Sequence, residues 1–563
     1  MKSCLQCQQS FEPRAQDREF YQKLAVPEPT LCPSCRRQRR MAWRNERVLY
    51  KRSCDLCQKS IVSIYPAGTP WPVYCITCWR SDTWNPLDNG RDFDFARPFF
   101  DQWQEVLYAT PMPALLQSNC ENSDYAHAAG NNKNVYLVFC SSFNENCYYS
   151  YWLQKSRDCL DCSHCNECEQ CYECEECFKC YNLRYSQNSS DCVDSAFLYD
   201  CRGCQNCFMS VGLRNKSYCI KNVQYSREEY EQRMREFNLG SAAAVTTLAR
   251  DFETFKLGFP RRFQHAKNSE DCSGDYFLNS KNCFQSFTAK FSENCAYSHD
   301  VLHLKDSMDV SLFGNTGEWL YEVNNVGLNS SNVKFSSYGY GLSFADYTYQ
   351  CHNSTELFGC VSLHGRNSYC ILNKQYSAQE YKALRARIIE HMRASGEYGE
   401  FPPVALALSA YNETQAAEYF PLEKAAVTAR GWKWSDSLPF TTGKETMSWT
   451  DVADDVREVD DSLCGQVLAC QVTGKNFKIT KPELELYKKL GVPVPRLHPD
   501  ARHARRMMLR NPNQLWQRQC MCTLAGHDNH AEAAPCRNQF ATSYAPERTE
   551  KIFCETCYEK TIA

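Results

Sequence analysis

The chain has 563 residues, 43% of them hydrophobic and 23% charged, a composition typical of a globular protein with room for several domains. Its net charge of −3 conceals a division along the chain. Residues 1–80 hold 14 Lys and Arg against 6 Asp and Glu, residues 466–563 hold 15 against 9, and the middle holds 34 against 51. Two basic ends therefore flank an acidic middle, and the ends are the candidates to meet a polyanion.

The cysteine content indicates the compartment. The start of the chain has no apolar signal-peptide core, and no apolar run reaches the length of about 18 residues that a membrane helix needs. We therefore expect a cytoplasmic protein without a membrane span. In that compartment the 37 cysteines are expected to be thiols or zinc thiolates rather than disulfides.

The N-terminal module, residues 1–80, contains four CxxC pairs that predict two structural zinc sites. A CxxC turn places two sulfurs on one side of a tetrahedral Zn²⁺, and a second pair completes the site. The first set is Cys4, Cys7, Cys32 and Cys35, and the second is Cys54, Cys57, Cys75 and Cys78. The alternative is that these are unrelated core cysteines.

The C-terminal module, residues 466–563, repeats this pattern at an offset of 466, so that "FEPRAQDREFYQKLAVPEPT" matches "FKITKPELELYKKLGVPVPR". Its first site has lost three of its four cysteines: Cys470 remains, His498 replaces one cysteine, and Thr473 and Ala501 replace the other two. The second site keeps Cys536, Cys554 and Cys557, with Cys520 or Cys522 as the fourth ligand. The chain thus predicts about three structural Zn²⁺ sites. His527 and His530 are interpreted as solvated loop residues rather than ligands.

Arginines recur between the zinc sites at helical spacing. Arg36, Arg40, Arg44, Arg47 and Lys51 step by three or four residues, which predicts one face of a helix that starts at the CxxC pair. Arg37 and Arg52 add to this cluster, and Arg502, Arg506 and Arg510 recur in the copy that lost its zinc ligands. Such stripes are typical of phosphate contacts, so RNA is the first candidate partner. An acidic protein surface, such as this chain's own middle, and a solvated helix face remain alternatives.

The acidic middle is a repeat with a period of about twelve residues, shown by "KNVYLVF", "ENCYYSY" and "RDCLDC". A duplication at offset 151 matches "SYCIKNVQYSREEY" to "SYCILNKQYSAQEY", and each copy is followed by a predicted helix, 226–238 and 377–394. We predict a narrow β-solenoid with four inward residues per turn. The spacing of "CLDCSHCNECEQCYECEECFKC", from Cys159 to Cys180, places its eight cysteines inward as small packing residues. Metal binding and disulfide ladders between turns are the alternatives.

The predicted fold is mainly β, with small α+β zinc fingers of the treble-clef or ribbon type. The predicted segments are the N-terminal module (1–80), a connector (81–117), the first solenoid half (118–238), a linker (239–264), the second solenoid half (265–394), a connector (395–465) and the C-terminal module (466–563).

The chain resembles a family of large, uncharacterised, Cys-rich zinc-finger proteins encoded by uncultivated bacteria with reduced genomes. The phrases that carry the resemblance include "PTLCPSCRRQRR", "NERVLYKRSCD", "VYCITCW", "DFARPFFDQW", "YNETQAAEYFPL" and "IFCETCYEK", and they extend over nearly the whole chain. The family has no settled function to transfer. The resemblance implies that the altered first site of the C-terminal module, with His498, is the usual state in the family.

No hydrolase, nucleotide-binding or zinc-protease motif occurs, and the predicted zinc sites are filled by protein ligands. We therefore expect a non-catalytic zinc protein. Its basic modules are predicted to bind RNA or a ribonucleoprotein such as the ribosome, and its acidic solenoid to act as a spacer or a docking surface for a protein. The alternatives are a self-assembling structural protein that sets basic ends against acidic middles, and a thiol-rich metal store or redox protein.

Overall fold

The computed structural model describes residues 1–312, 315–524 and 535–562. The chain forms two compact units that do not follow chain order. Unit 1 combines Met1–Leu115 with Gln264–Leu438, and unit 2 combines Leu116–Phe263 with Pro439–Ala563. The N-terminal module therefore shares a unit with the second solenoid half, and the C-terminal module shares one with the first half. The connector 395–465 is divided between the units.

The predicted β-solenoid is confirmed, with about 21 turns in total and cysteine clusters in both terminal modules. Most turns are twelve residues long and stack in parallel, so that Leu160 pairs with Tyr172 and Ser163 with Glu175. The backbone N–H of Leu160 donates to the carbonyl of Cys171 on the following turn, and that of Asp161 donates to the carbonyl of Tyr148 on the preceding turn. Each turn is thereby hydrogen-bonded to both neighbours.

A three-residue backbone repeat explains the spacing of the cysteines. Every third residue of a turn has a left-handed conformation, as at Asp158, Asp161 and His164, with φ between 51° and 54°. The residue after each of these points inward, and the next one pairs with the adjacent turn. Asn and Asp tolerate positive φ better than other non-glycine residues, and both recur at these corners. Stacked corner asparagines are also hydrogen-bonded, as from Asn122 to Asn134 over 3.2 Å.

The cores of the two halves are thin columns of small or aliphatic side chains. Fourteen buried cysteines fill most of the first column, together with alanine, valine and leucine. The second column has more valine and leucine and only five buried cysteines. Four inward positions per turn leave little space in such a narrow cross-section, which is why Cys, Ser, Ala and Val alternate there.

The solenoid strands vary in length from two to eleven residues. In unit 1 they are Ala266–Lys267, Gly274–Leu278, Ser286–Lys290, Glu293–Ala296, His299–Leu302, Leu304–Ser311, Gly317–Gly327, Ser330–Tyr340, Ser343–Asp346, Thr355–Phe358, Ser368–Ile371 and Lys374–Gln375. In unit 2 they are Gln117–Ser118, Ala129–Gly130, Tyr181–Arg184, Val193–Tyr199, Gln205–Val211, Ser217–Ile220 and Val223–Gln224.

The modules contain short strands besides their helices. In the N-terminal module Lys2–Ser3 pairs with Ser10–Phe11, Tyr50–Ser53 pairs with Ser60–Ser63, and Val73–Tyr74 pairs with Met112–Pro113 of the connector. In unit 2 Leu468–Ala469 pairs with Asn476–Phe477, Trp516–Gln519 with Gln539–Thr542, and Ile552–Phe553 with Arg261–Arg262 of the linker.

The α-helices lie in the modules, in the connectors, in the linker and at the end of each solenoid half. They are α1 (Ala15–Lys23), α2 (Pro33–Met41), α3 (Ile76–Trp79), α4 (Phe99–Ala109), α5 (Arg227–Met234), α6 (Ala242–Lys256), α7 (Ala378–Ser395), α8 (Gln415–Tyr419), α9 (Lys424–Ala429), α10 (Lys481–Leu490), α11 (Pro499–Met508) and α12 (Glu555–Ile562). Helices α5 and α7 lie within or beside the predicted segments, and capping boxes at Ser226 and Ser377 start them. Within the described ranges, none of the helices has the length and apolar character needed to cross a membrane.

Each module is held on its solenoid half by additional chain. In unit 1 the stretch 404–434 packs around α2, where Tyr411, Val404 and Val427 form a core with Met41 and Ala42. In unit 2 the stretch 447–464 and helix α10 build a larger core against Tyr148, Leu160 and Tyr172 of the first half.

Candidate metal centres and arginine interfaces

Three clusters of four cysteines lie in the terminal modules, and in each cluster the sulfur atoms are within 4.8 Å of one another. They are Cys4, Cys7, Cys32 and Cys35; Cys54, Cys57, Cys75 and Cys78; and Cys520, Cys536, Cys554 and Cys557. The sets predicted for the N-terminal module are thus brought together as predicted, and each cluster could hold a metal ion.

The separations of the sulfur atoms fit a tetrahedral thiolate site. A Zn–S bond of about 2.3 Å requires sulfurs about 3.8 Å apart. The Cys7 and Cys32 sulfurs are 3.8 Å apart, and those of Cys57 and Cys75 are 3.9 Å apart. In the C-terminal cluster, the sulfurs of Cys536 and Cys554 are 4.0 Å apart.

All three clusters share one backbone hydrogen bond to the first cysteine of the set. The N–H of Cys32 donates to Cys4 Sγ over 3.3 Å, and that of Cys75 donates to Cys54 Sγ over 3.2 Å. A backbone donor of this kind stabilises the thiolate form that a metal requires.

The C-terminal cluster identifies its fourth cysteine, which the sequence left open between Cys520 and Cys522. The N–H of Cys554 donates to Cys520 Sγ over 3.2 Å, so Cys520 occupies the position of Cys4 and Cys54. Cys522 is also buried but lies outside the cluster, and its carbonyl accepts the N–H of Cys536. His527 and His530 lie outside the described residues.

The altered first site of the C-terminal module keeps the local fold of a metal site. Cys470 still accepts a backbone hydrogen bond from His498, and the N–H of Gly474 still closes the turn by donating to the Cys470 carbonyl. His498 Nδ1 instead accepts the N–H of Asp500 over 3.1 Å and caps α11. Here Phe477, Ile479 and Leu484 belong to a large apolar core, so apolar burial holds this site together.

The solenoid cysteines are arranged differently from those of the clusters. Cys162 Sγ lies 3.3 Å from the carbonyl oxygen of Leu160 and 3.4 Å from that of Cys171, so these two acceptors share its single S–H donor. Ser150 fills the equivalent inward position of the preceding turn, where its hydroxyl donates to the Tyr148 carbonyl over 2.9 Å. Burial raises the pKa of the Cys159 thiol to about 11. These features favour the packing interpretation, and among the described residues no solenoid cysteine belongs to a metal-competent group.

Replacing Cys162, Cys165, Cys174 and Cys177 together by serine is expected to leave the metal content of the purified chain unchanged. Serine already fills equivalent inward positions and donates to the corresponding carbonyl there, as at Ser150 and Ser189. Metal analysis of the quadruple variant beside the wild type measures this. A loss of bound metal would show that the column holds ions and would overturn the packing interpretation.

The arginines of α2 are buried against two carboxylates of the second solenoid half. Arg36 donates to Asp309 over 2.9 Å, and Arg40 bridges Asp309 and Glu322 at 3.1 Å each. Arg39 donates to Glu322 over 3.0 Å. Arg36, Arg40 and both carboxylates are at most 1% exposed. Although burial alone raises the pKa of Glu322, Arg39 and Arg40 outweigh it and hold this pKa below its usual value.

The arginines of α11 repeat this interface on the first half. Arg502 and Arg506 both donate to Asp161, over 2.5 and 2.7 Å, and Arg505 pairs with Glu173. Arg506 Nε also donates to Ser163 over 3.1 Å, as Arg40 Nε does to Ser311 over 3.3 Å.

The surroundings of the two interfaces match at the offset of 466 between the modules. Tyr297 donates its hydroxyl to Asp17 over 2.9 Å in unit 1, and Tyr149 donates to Glu483 over 2.7 Å in unit 2. The guanidinium of Arg502 lies 4.2 Å from the ring centre of Tyr149. Two modules of different sequence thus bind two solenoid halves through equivalent residues.

The predicted arginine stripe is only partly helical, and this part of the sequence interpretation is wrong. Helix α2 ends at Met41, so Arg44 and Arg47 follow it, while Lys51 and Arg52 lie on the strand Tyr50–Ser53. Likewise α11 ends at Met508, before Arg510. The buried members of the predicted nucleic-acid set are Arg36, Arg37, Arg40, Arg44, Arg52, Arg502 and Arg506; Arg47 and Arg510 are half-buried and Lys51 is exposed.

Sequence reasoning missed the partners of these arginines. Asp161 and Asp309 each occupy a left-handed corner of a turn, a position where outward polar residues are common, and nothing in their local sequence marks them as buried. Glu175 and Glu176 were also missed. With His164 they form a group that could hold a metal ion, but Arg510 lies 2.9 Å from Glu176 and 3.6 Å from Glu175 and supplies the positive charge there.

The fold and sites define the class: a cysteine-rich β-solenoid protein with metal-competent modules at both ends. No protein-family model and no curated protein matches the chain, so the family resemblance stays a prediction. One solved structure with partial similarity is that of a presumed acetyltransferase from Desulfovibrio desulfuricans G20. Its identity is 11% over 50% of this chain and 82% of that chain, with a TM-score of 0.11, which carries no argument about fold or activity.

Proposed function

We propose that the protein is a non-catalytic cytoplasmic scaffold, in which zinc-bound terminal modules clamp an acidic β-solenoid and the remaining solenoid surface docks a protein partner. The observation that carries the proposal is the repeated burial of module arginines against solenoid carboxylates: Arg36, Arg39 and Arg40 against Asp309 and Glu322, and Arg502 and Arg506 against Asp161. Guanidinium groups buried in this way hold the modules against the solenoid and are withdrawn from other anions.

Zinc is the metal that the thiolate sets fit best, because four sulfurs at tetrahedral spacing suit a closed structural site. In the N-terminal module the metal would hold Cys32 and Cys35 at the start of α2. That placement fixes the first turn of the helix whose next residues are Arg36, Arg39 and Arg40. The metal would therefore support the interface indirectly, by orienting the helix that presents the arginines.

The RNA-binding prediction is the competing function, and it requires these arginines to leave their carboxylates. Breaking a buried ion pair by removing one partner costs about 3–5 kcal/mol, so phosphates must supply more than the solenoid does. Another alternative is that the basic ends pair with acidic middles. Pairing within one chain is favoured over pairing between chains, because the module arginines contact solenoid carboxylates within each unit.

Sedimentation of the full chain in lysate, with and without ribonuclease and at two salt concentrations, tests the proposal. We expect sedimentation that ribonuclease does not change and no nucleic acid in the purified protein. The control is the Lys51→Ala variant, which removes the exposed cation of the stripe. Ribonuclease-sensitive migration with ribosomal particles, released by salt and weakened in this variant, would replace the scaffold by an RNA-binding function.

A further inference from the structure

The two interfaces differ at the arginine that follows each helix. Arg44 of the N-terminal module and Arg510 of the C-terminal module correspond at offset 466, and each precedes an asparagine. Arg44 pairs with Glu46 of its own module. Arg510 instead pairs with Glu175 and Glu176 of the solenoid. The position that corresponds to Glu46 is Pro512, so the C-terminal module lacks this acid.

The solenoid halves differ in the complementary way. Strand pairing stacks Ser163 beneath Glu175 in the first half and Ser311 beneath Asn324 in the second half. Ser163 and Ser311 are the residues that Arg506 and Arg40 contact, so the register makes Asn324 the counterpart of Glu175 and Asn325 that of Glu176. Asn324 lies at the module, because its side chain donates to the carbonyl of Arg40 over 3.0 Å.

We infer that the arginine after each helix, Arg44 or Arg510, together with the charges around it, determines which module binds which solenoid half. This inference rests on the scaffold function proposed above. The shared carboxylates, Asp309 with Glu322 and Asp161 with Glu173, accept either module. The side chains next to these carboxylates distinguish the modules, because Asn324 and Asn325 of the second half are neutral and Glu175 and Glu176 of the first half are acidic. An exchange would set Glu46 against Glu175 and Glu176, and it would set Arg510 against the neutral Asn324 and Asn325 in a buried surface.

This selectivity matters because the order along the chain favours the wrong pairing. Along the chain the N-terminal module and its connector are followed by the first half, yet the module lies in the unit of the second half. A nascent chain completes the N-terminal module and the first half before the second half exists. Asp161 and Glu173 of the first half would then bind the module arginines prematurely. Like charges of Glu46, Glu175 and Glu176 oppose that encounter until the cognate surface is made.

The test uses charge exchange in the full chain and hydrogen exchange of the two arginine helices. Asn324→Glu with Asn325→Glu places carboxylates at the positions that correspond to Glu175 and Glu176, where they compete with Glu46 for Arg44, and we expect amides of α2 to exchange about tenfold faster or more. Adding Glu46→Gln is expected to restore protection, because Arg44 then pairs with the new carboxylates. The backbone accommodates the change, since Asn325 and Glu176 have nearly the same left-handed φ, 53° and 52°.

The reciprocal test concerns the first half. Glu175→Asn with Glu176→Asn should speed exchange in α11 by a similar factor, and Pro512→Glu should recover part of it by supplying an acid from the module. The control is Glu167→Asn, which changes an exposed left-handed corner of the same half and should leave hydrogen exchange in α11 unchanged.

The outcomes separate the inference from the function on which it rests. If the charge exchanges leave α2 and α11 unaffected while Asp161→Asn exposes α11, docking stands and the selectivity is overturned. If Asp161→Asn also has no effect, the interface itself fails. Loss of protection that neither Glu46→Gln nor Pro512→Glu restores would mean general destabilisation, and it would also overturn the selectivity.

Discussion

The Cys520→Ser variant is expected to bind one zinc ion fewer than the wild type, whereas Cys522→Ser keeps the full number. Cys520 belongs to the C-terminal cluster and accepts the Cys554 N–H, while Cys522 lies outside the four-sulfur group. Structural zinc contributes about 10–16 kcal/mol in isolated finger peptides, so loss of one ligand should melt the local fold of this cluster. Metal analysis of both purified variants measures the difference.

The pair of variants controls for burial, because both cysteines are at most 2% exposed and both lose the same atom. We expect about three zinc ions for the wild type and for Cys522→Ser, and about two for Cys520→Ser. Equal metal content in the two variants, or a loss in Cys522→Ser alone, would refute the assignment of Cys520.

The second large effect is expected from the buried aspartates. Asp309→Asn and Asp161→Asn should each lower the free energy of local unfolding of their interface by about 3–5 kcal/mol, because the substitution removes a buried carboxylate that neutralises two buried guanidinium groups. Asparagine has nearly the same shape and tolerates the left-handed backbone found at both positions, φ 57° and 52°. The change therefore removes the negative charge and one acceptor oxygen while it keeps the shape of the side chain.

Native-state hydrogen exchange of α2 and α11 measures this effect in the intact chain. Asp271→Asn is the matched control, since Asp271 is an exposed left-handed corner of the second half, and its effect should stay within about 0.5 kcal/mol. An effect of Asp309→Asn no larger than that of Asp271→Asn would show that the arginines do not hold the module.

Patterns of short range made much of this structure predictable. The period of twelve and the three-residue spacing of the cysteines follow from a backbone that repeats every three residues, so one pattern specifies both the turn and its inward side chains. The CxxC pairs predicted the metal clusters because two of the four sulfurs are neighbours in sequence. Helices α5 and α7 were predictable since serine caps and glutamates start them.

Other features escaped prediction because distant contacts decide them. The stripe that starts at Arg36 continues at helical spacing to Lys51, yet α2 ends at Met41. The chain turns there because Trp43 packs among Trp103, Tyr349 and Phe401. Helix α6 was missed inside the predicted linker: its sequence, "AAAVTTLARDFETFK", has only a modest apolar face, and Phe252 and Leu248 are buried by the first half.

The amino-acid sequence by itself determined the solenoid, its two halves, the duplicated modules and the cysteine sets, because each depends on residues that recur at fixed spacing. Only the tertiary structure decided which module meets which half, which of Cys520 and Cys522 joins the cluster, and what the arginines contact. The physical reason is that a guanidinium binds both phosphates and carboxylates, so a basic helix face alone does not specify its partner. The partners are specified only when folding brings Asp309 to Arg36, 273 residues away along the chain, and Asp161 to Arg502, 341 residues away.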